Sequence, residues 1–161
     1  MEIVPLLADM AAPEPVEVVV EEDDRHLLLR EQPLLFDVPD GFTTLTREMQ
    51  AQRPRELGDV VVCRGDPLRL IAIVYDVDRE PIWDEVGVVT AYQRVINELN
   101  RWQAATVMMP LLGTAHGHMS PNHSADLLGT ALNNETPALL EQLYLRLASD
   151  CDIDALRGLL E

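Results

Sequence analysis

The chain has no lysine: all 12 of its basic residues are arginine, set against 28 acidic ones. That excludes a Schiff-base lysine and the lysine-bearing loop of P-loop nucleotide hydrolases. The net charge of −16 repels a nucleic-acid backbone, whose non-specific affinity comes from lysine and arginine neutralising phosphates. No nucleic-acid partner is expected; a basic protein partner fits the charge better. The arginine bias follows coding pressure from a GC-rich genome.

Cysteine is nearly absent too. Cys63 and Cys151 stand far apart, with no zinc-ligand spacing. Cys63 follows Val60-Val61-Val62 and reads as a small buried hydrophobe. Cys151 lies between Asp150 and Asp152, an anionic setting unlike the electropositive one of reactive cysteines. No apolar run approaches the roughly 18 residues that a membrane span needs. Met1–Met10 holds Glu2 and Asp9 and no basic residue, unlike a secretory signal. The expectation is a cytoplasmic protein with no membrane partner.

What is present suits one globular domain: 47% hydrophobic and 25% charged residues, enough for a core at this length. Residues 1–15 contain three prolines and read as an N-terminal lead-in. Residues 16–161 read as a single domain, with no repeat or linker inside. Strands are expected at 16–20, 34–38, 59–63, 68–75, 105–109 and 143–147, with a short edge strand at 27–29. The acidic run Glu21-Glu22-Asp23-Asp24 should end the first. Helices are expected from Thr43 or Thr44 to Arg53, and over 84–103, 120–133, 135–142 and 152–160. In 84–103, Val89, Tyr92, Ile96, Leu99 and Trp102 recur at spacings of three and four. In the last helix Ile153, Leu156, Leu159 and Leu160 should face inward. Alternating strands and helices indicate an α/β layered fold, and the hairpin-like pairs a mixed sheet.

The segment Met109-Pro110-Leu111-Leu112-Gly113-Thr114-Ala115-His116-Gly117 carries the most chemistry. An apolar strand enters a turn of small residues, and Ser120-Pro121 opens a helix behind it. Strand, glycine-bearing turn and helix N-terminus point backbone N–H groups at an anion, usually a phosphate. Gly113 and Gly117 can take positive φ at no steric cost, and Thr114 can add a hydroxyl. The candidate phosphate-binding residues are Gly113, Thr114, Ala115, His116 and Gly117.

On these residues the chain resembles the macro domain, a three-layer α/β/α module with a mixed central sheet that binds ADP-ribose and related nucleotides. In that family a long helix leads into a strand that ends in a proline, an apolar pair and a diphosphate-wrapping loop. Here these match 84–103, 105–109 and Pro110–Gly117, with 68–75 as the central strand and 143–147 and 152–160 as the last strand and helix. The resemblance places an adenine-side contact at Asp23 or Asp24. The chain also departs from the pattern. Ala115 replaces a small glycine of the loop. Phe36-Asp37-Val38-Pro39-Asp40-Gly41 stands where the family carries an Asn-rich segment and a glycine-rich loop, so that loop reads as deleted. The distal side should then be open or filled by Phe36 and Phe42, and the groups that position a ribose and its attacking water should be missing.

The resemblance therefore implies a non-catalytic module. It would bind a phosphate-containing ligand, ADP-ribose or a related nucleotide, a protein partner, or both. The alternatives are an ADP-ribosyl hydrolase or nucleotide-processing enzyme, and a pure protein-interaction domain with a degenerate pocket. No cofactor is expected and no catalytic residue is assigned. His116, His118 and His123 cluster, but their spacing matches no zinc signature, so no metal is assigned. Asp37 and Asp40 could form a general-base pair, yet Asp-Gly at a strand end reads as a turn. Asp76, Asp78, Glu80, Asp84 and Glu85 lack the central glycine and final glutamate of a calcium loop. Ser120, Ser124 and Ser149 occupy no nucleophile elbow.

Overall fold

The computed structural model describes residues 1–11, 15–29 and 54–161. Among the described residues, six strands run β1 (Glu2–Leu7), β2 (Val18–Asp24), β3 (Val60–Cys63), β4 (Leu68–Tyr75), β5 (Thr106–Pro110) and β6 (Gln142–Leu147). They form one sheet in the order β1-β6-β5-β2-β4-β3. Every neighbouring pair is parallel except the β3–β4 hairpin, which is antiparallel. The sheet is therefore mixed. Helix α1 (Glu85–Arg101) crosses from β4 to β5, and α2 (Pro121–Asn134) from β5 to β6. A 3-10 helix (Asp150–Leu156) and one short turn, α3 (Arg157–Leu160), follow. The expected strand 34–38 and helix 43–53 lie outside the described residues, as do Phe36, Asp37, Asp40 and Phe42.

Strand β4 shows how the layers close. Leu70, Ala72 and Val74 alternate onto the face that packs with α1 and α2. Ile71 and Ile73 point to the opposite face and are fully buried as well. A strand buried on both faces reads as a continuous apolar run, as Leu68–Tyr75 does, apart from Arg69. Helix α1 buries Val88, Ala91, Tyr92, Val95, Ile96 and Leu99. Trp102, expected on the inner face, is instead the C-cap and is exposed.

Helix starts follow side-chain capping. Asp84 accepts from the Gly87 amide at 2.6 Å, and Ser120 from the His123 amide at 3.2 Å, with Pro121 at the first helical position. Ser120→Ala should therefore destabilise the protein by about 1 kcal/mol. Urea denaturation checks this; an unchanged midpoint would show that the cap is idle.

Several expectations are corrected. Residues 2–7 are not a lead-in: β1 pairs with β6 along its whole length. Among the described residues it is an edge strand, where Pro5 can be accommodated. The acidic run does not end β2 but forms its last four residues, because each carboxylate there finds a partner. Glu21, for example, takes Arg69 of β4 at 2.7 Å. Residues 27–29 are not a strand: the Leu27 amide closes a turn on the Asp24 carbonyl at 3.0 Å, with Leu27 at φ 59°, and irregular backbone follows. Residues 135–141 are not helical. Pro137 denies the helix a backbone donor. The Asn100 side chain clasps this segment, donating to Glu135 and accepting from the Ala138 amide, both at 2.9 Å. The C-terminal helix is largely 3-10, and only Leu156 in it is buried. Ile153 and Leu160 are exposed, while Leu159 packs partly buried on the core above Gly129.

Candidate functional site

From β5 the chain moves outward through α2 to β6, while β2 has β4 on its other side. The gap between β5 and β2 is thus a topological switch point. In open α/β sheets, ligands bind at the carboxyl ends of the strands at such a point. The loop after β5 and the end of β2 meet there.

The loop is held from below by a buried network. Tyr92 of α1 accepts from the Leu112 amide at 2.8 Å, and its hydroxyl lies 2.7 Å from Ser124 Oγ. Ser124 donates to the Leu112 carbonyl at 2.6 Å, so Tyr92 donates to Ser124. Thr114 Oγ1 donates to the Leu111 carbonyl at 2.7 Å. Its hydroxyl closes the turn and is not turned outward as a free donor. Gly113 has φ +87°. Gly117 does not have positive φ; glycine is required there by space. A Cβ on it would lie 2.5 Å from Trp83 Cδ1, 2.7 Å from Tyr75 Cε1 and 2.8 Å from the Gly113 carbonyl.

Above this network the loop amides converge on an acid. Glu22 Oε2 accepts from the Gly113 amide at 2.8 Å, and Oε1 from the Ala115 amide at 3.2 Å. Tyr75 donates its hydroxyl to Glu22 Oε1 at 2.7 Å and accepts from the His116 amide at 3.1 Å. Two amides on the Glu22 carboxyl group and a third on the neighbouring Tyr75 hydroxyl make a cradle of loop N–H groups with a side chain of the protein in it. Sequence reasoning missed Glu22. The signal was available: Glu22 follows Val18 and Val20 at intervals of two, and both valines are core residues. An acid on the core face of a strand needs a built partner.

Burial raises the Glu22 pKa above the usual glutamate value; the Tyr75 hydroxyl, the two amides and His116 oppose it. Burial also raises Tyr75, as does the charge of Glu22. Asp23 and Asp24, placed on the adenine side by resemblance, are fully buried at the end of β2. Asp23 accepts from the amides of Asp24 at 2.7 Å and Leu29 at 3.0 Å. Asp24 accepts from the amides of His26 at 3.1 Å and of Leu28. The two carboxylates thus fold the turn beside Glu22. Burial, with the adjacent Asp24 carboxylate, pushes Asp23 up to about 6.

A folded pKa above the unfolded one gives stability that is complete below the unfolded pKa and lost as pH rises through the folded one. Stability should therefore fall between about pH 4 and pH 6 through Asp23, with Glu22 adding in the same direction. The groups facing these acids are Asp24 on β2, Tyr75 on β4, Tyr92 on α1 and His116 in the loop. Asp23→Asn should flatten the slope by about 1–2 kcal/mol across that window. Urea midpoints at both ends check it; parallel wild-type and variant curves would refute it.

The three histidines do not converge. His116 and His118 are exposed, and His123 Nε2 lies 3.1 Å from Glu85 Oε2. Among the described residues, no three His, Cys, Asp or Glu side chains are placed to share a metal ion. The acidic stretch 76–85 has structural duties. Asp76 takes Arg25 at 3.1 Å and the Asp78 amide at 3.1 Å, and Asp84 caps α1. No helix among the described residues is long and apolar enough to cross a membrane.

No protein-family model matches the chain, and no curated protein does. Solved structures do. The macro domain of ganglioside induced differentiation associated protein 2 aligns over 99% of this chain and 82% of its own, with TM-score 0.67 and 14% identity. The Oceanobacillus iheyensis macrodomain with MES bound aligns over 96% and 87%, with TM-score 0.68 and 12% identity. The Trypanosoma brucei macrodomain in complex with ADP covers 91% of this chain and 64% of its own, with TM-score 0.62 and 10% identity. The protein has the macro-domain fold.

Proposed function

We propose that this chain is a non-catalytic macro-fold module that recognises a phosphate-containing ligand, ADP-ribose or a related nucleotide, through the loop Gly113-Thr114-Ala115-His116-Gly117. The observation that carries this reading is the convergence of the Gly113 and Ala115 amides on one anionic group at the switch point. Two backbone donors aimed at a carboxylate are also suited to a phosphate. The likeness to macrodomains described with ADP and with ADPR bound agrees with it. Asp23 and Asp24 would act on the adenine side by holding the turn that walls it.

Calorimetric titration with ADP-ribose, pyrophosphate and ribose tests this. Binding should need the phosphates, and ribose should give no heat. No ADP-ribosyl bond should be hydrolysed. Phosphate-independent binding would refute the assigned loop, and turnover would refute the non-catalytic reading. The carboxylate already in the cradle favours a second reading, a pure protein-interaction domain with a filled pocket. Its charge of −16 would select a basic partner.

A further inference from the structure

We propose that Glu22 is an internal occupant of the anion cradle, an autoinhibitory contact that a phosphate ligand must displace. This deepens the phosphate-binding reading and rests on it. A carboxylate and a phosphate oxygen compete for the same donors. Glu22 takes the Gly113 amide with one oxygen and the Ala115 amide with the other, at 2.8 and 3.2 Å. The remaining donor at the carboxylate, the Tyr75 hydroxyl, is also spent on it at 2.7 Å. A phosphate entering without displacing Glu22 would place like charges in contact at a half-buried carboxylate, where solvent screens their repulsion less than on the open surface.

The contact is built to hold. Tyr75 is fully buried, so its hydroxyl stays aimed at the cradle. The loop is pinned from beneath by Tyr92 and Ser124, both fully buried. The moving part is therefore the Glu22 side chain, with the loop staying in place. The ligand class follows. A pyrophosphate carries more charge and more acceptors than a carboxylate and can outcompete it, whereas a simple carboxylate ligand gains nothing over Glu22.

The test is titration of pyrophosphate and ADP-ribose into wild type, Glu22→Ala, Glu22→Gln and Glu21→Gln. Glu21 is the matched control. It precedes Glu22 on the strand, lies on the other face and pairs with Arg69. Its replacement removes the same charge without touching the cradle. Glu22→Ala should bind at least tenfold more tightly than wild type, a difference of about 1.4 kcal/mol. Glu22→Gln should fall between, and Glu21→Gln should match wild type. Amide resonances of Gly113 and Ala115 should shift in Glu22→Ala without ligand and shift again on adding pyrophosphate. Glu22→Gln, which keeps the shape, answers the question if Glu22→Ala fails to fold. Wild-type binding that is unchanged or weakened in both Glu22 variants would overturn the gate and leave the phosphate reading standing. No binding by any of the four proteins would overturn both.

Discussion

Gly113→Val should destabilise the protein by about 2–4 kcal/mol, because a β-branched residue is forced to a φ it adopts only under strain. Gly113 sits at φ +87°. The space around it is less of an obstacle. An added Cβ would lie 3.3 Å from the Met119 sulfur and 3.4 Å from Val88 Cγ2, both side-chain atoms. The cost is therefore mainly in the backbone. It should be paralleled by loss of the Gly113 amide bond to Glu22, since relaxing φ turns that N–H away. Whatever fraction stays folded should lose at least tenfold in phosphate affinity. Gly65→Ala is the control: Gly65 does not have positive φ, and the added Cβ comes no nearer than 3.4 Å to the Pro67 carbonyl. Urea denaturation of the three proteins decides it. A loss below 1 kcal/mol at Gly113 would show that the loop relaxes cheaply and that its shape is not set by this glycine.

Tyr92→Phe should cost about 2–3 kcal/mol although it removes only one oxygen. The hydroxyl is the acceptor for the Leu112 amide and donates to Ser124, and all three residues are fully buried. Phenylalanine fills the same space and leaves the Leu112 N–H without an acceptor where water does not reach it, the costlier way to lose a hydrogen bond. Ser124→Ala alone frees the Leu112 carbonyl and removes the acceptor of the Tyr92 proton. The double variant should therefore cost less than the sum of the two by at least about 0.5 kcal/mol, the signature of one shared network. Hydrogen exchange gives a local readout: protection of the Leu112 amide should fall in Tyr92→Phe. Additive costs with unchanged protection would mean that the loop is not held from this side.

The α1 periodicity revealed the buried face because Tyr92, Ile96 and Leu99 fall three and four apart. Strands β4 and β5 are largely apolar runs and Leu143–Leu147 of β6 alternates, so their positions follow from local pattern. The glycine turn before Ser120-Pro121 marked the loop, and the Ser-Pro pair the helix start. In contrast, β1 has two charged or prolyl positions among six residues, and it reads as strand only once β6 lies beside it. Helical spacing across 135–142 was misleading, because Pro137 and the Asn100 side chain hold the segment open.

By itself, the amino-acid sequence determined the α/β class, the long amphipathic helix, the glycine-bearing turn between β5 and α2 and a net charge of −16. These rest on local pattern and net charge, which need no knowledge of neighbours. Only the tertiary structure decided what the loop amides face. Glu22 and Gly113 are 91 residues apart, and their meeting depends on β2 lying beside β5 in the sheet. It also decided that Gly117 is required by contact with Tyr75 and Trp83, and that the acidic run continues a strand it looked set to end. Each outcome turns on partners brought together by strand order. A carboxylate buried without partners would disfavour this strand, whereas one met by two amides and a phenol is accommodated in it.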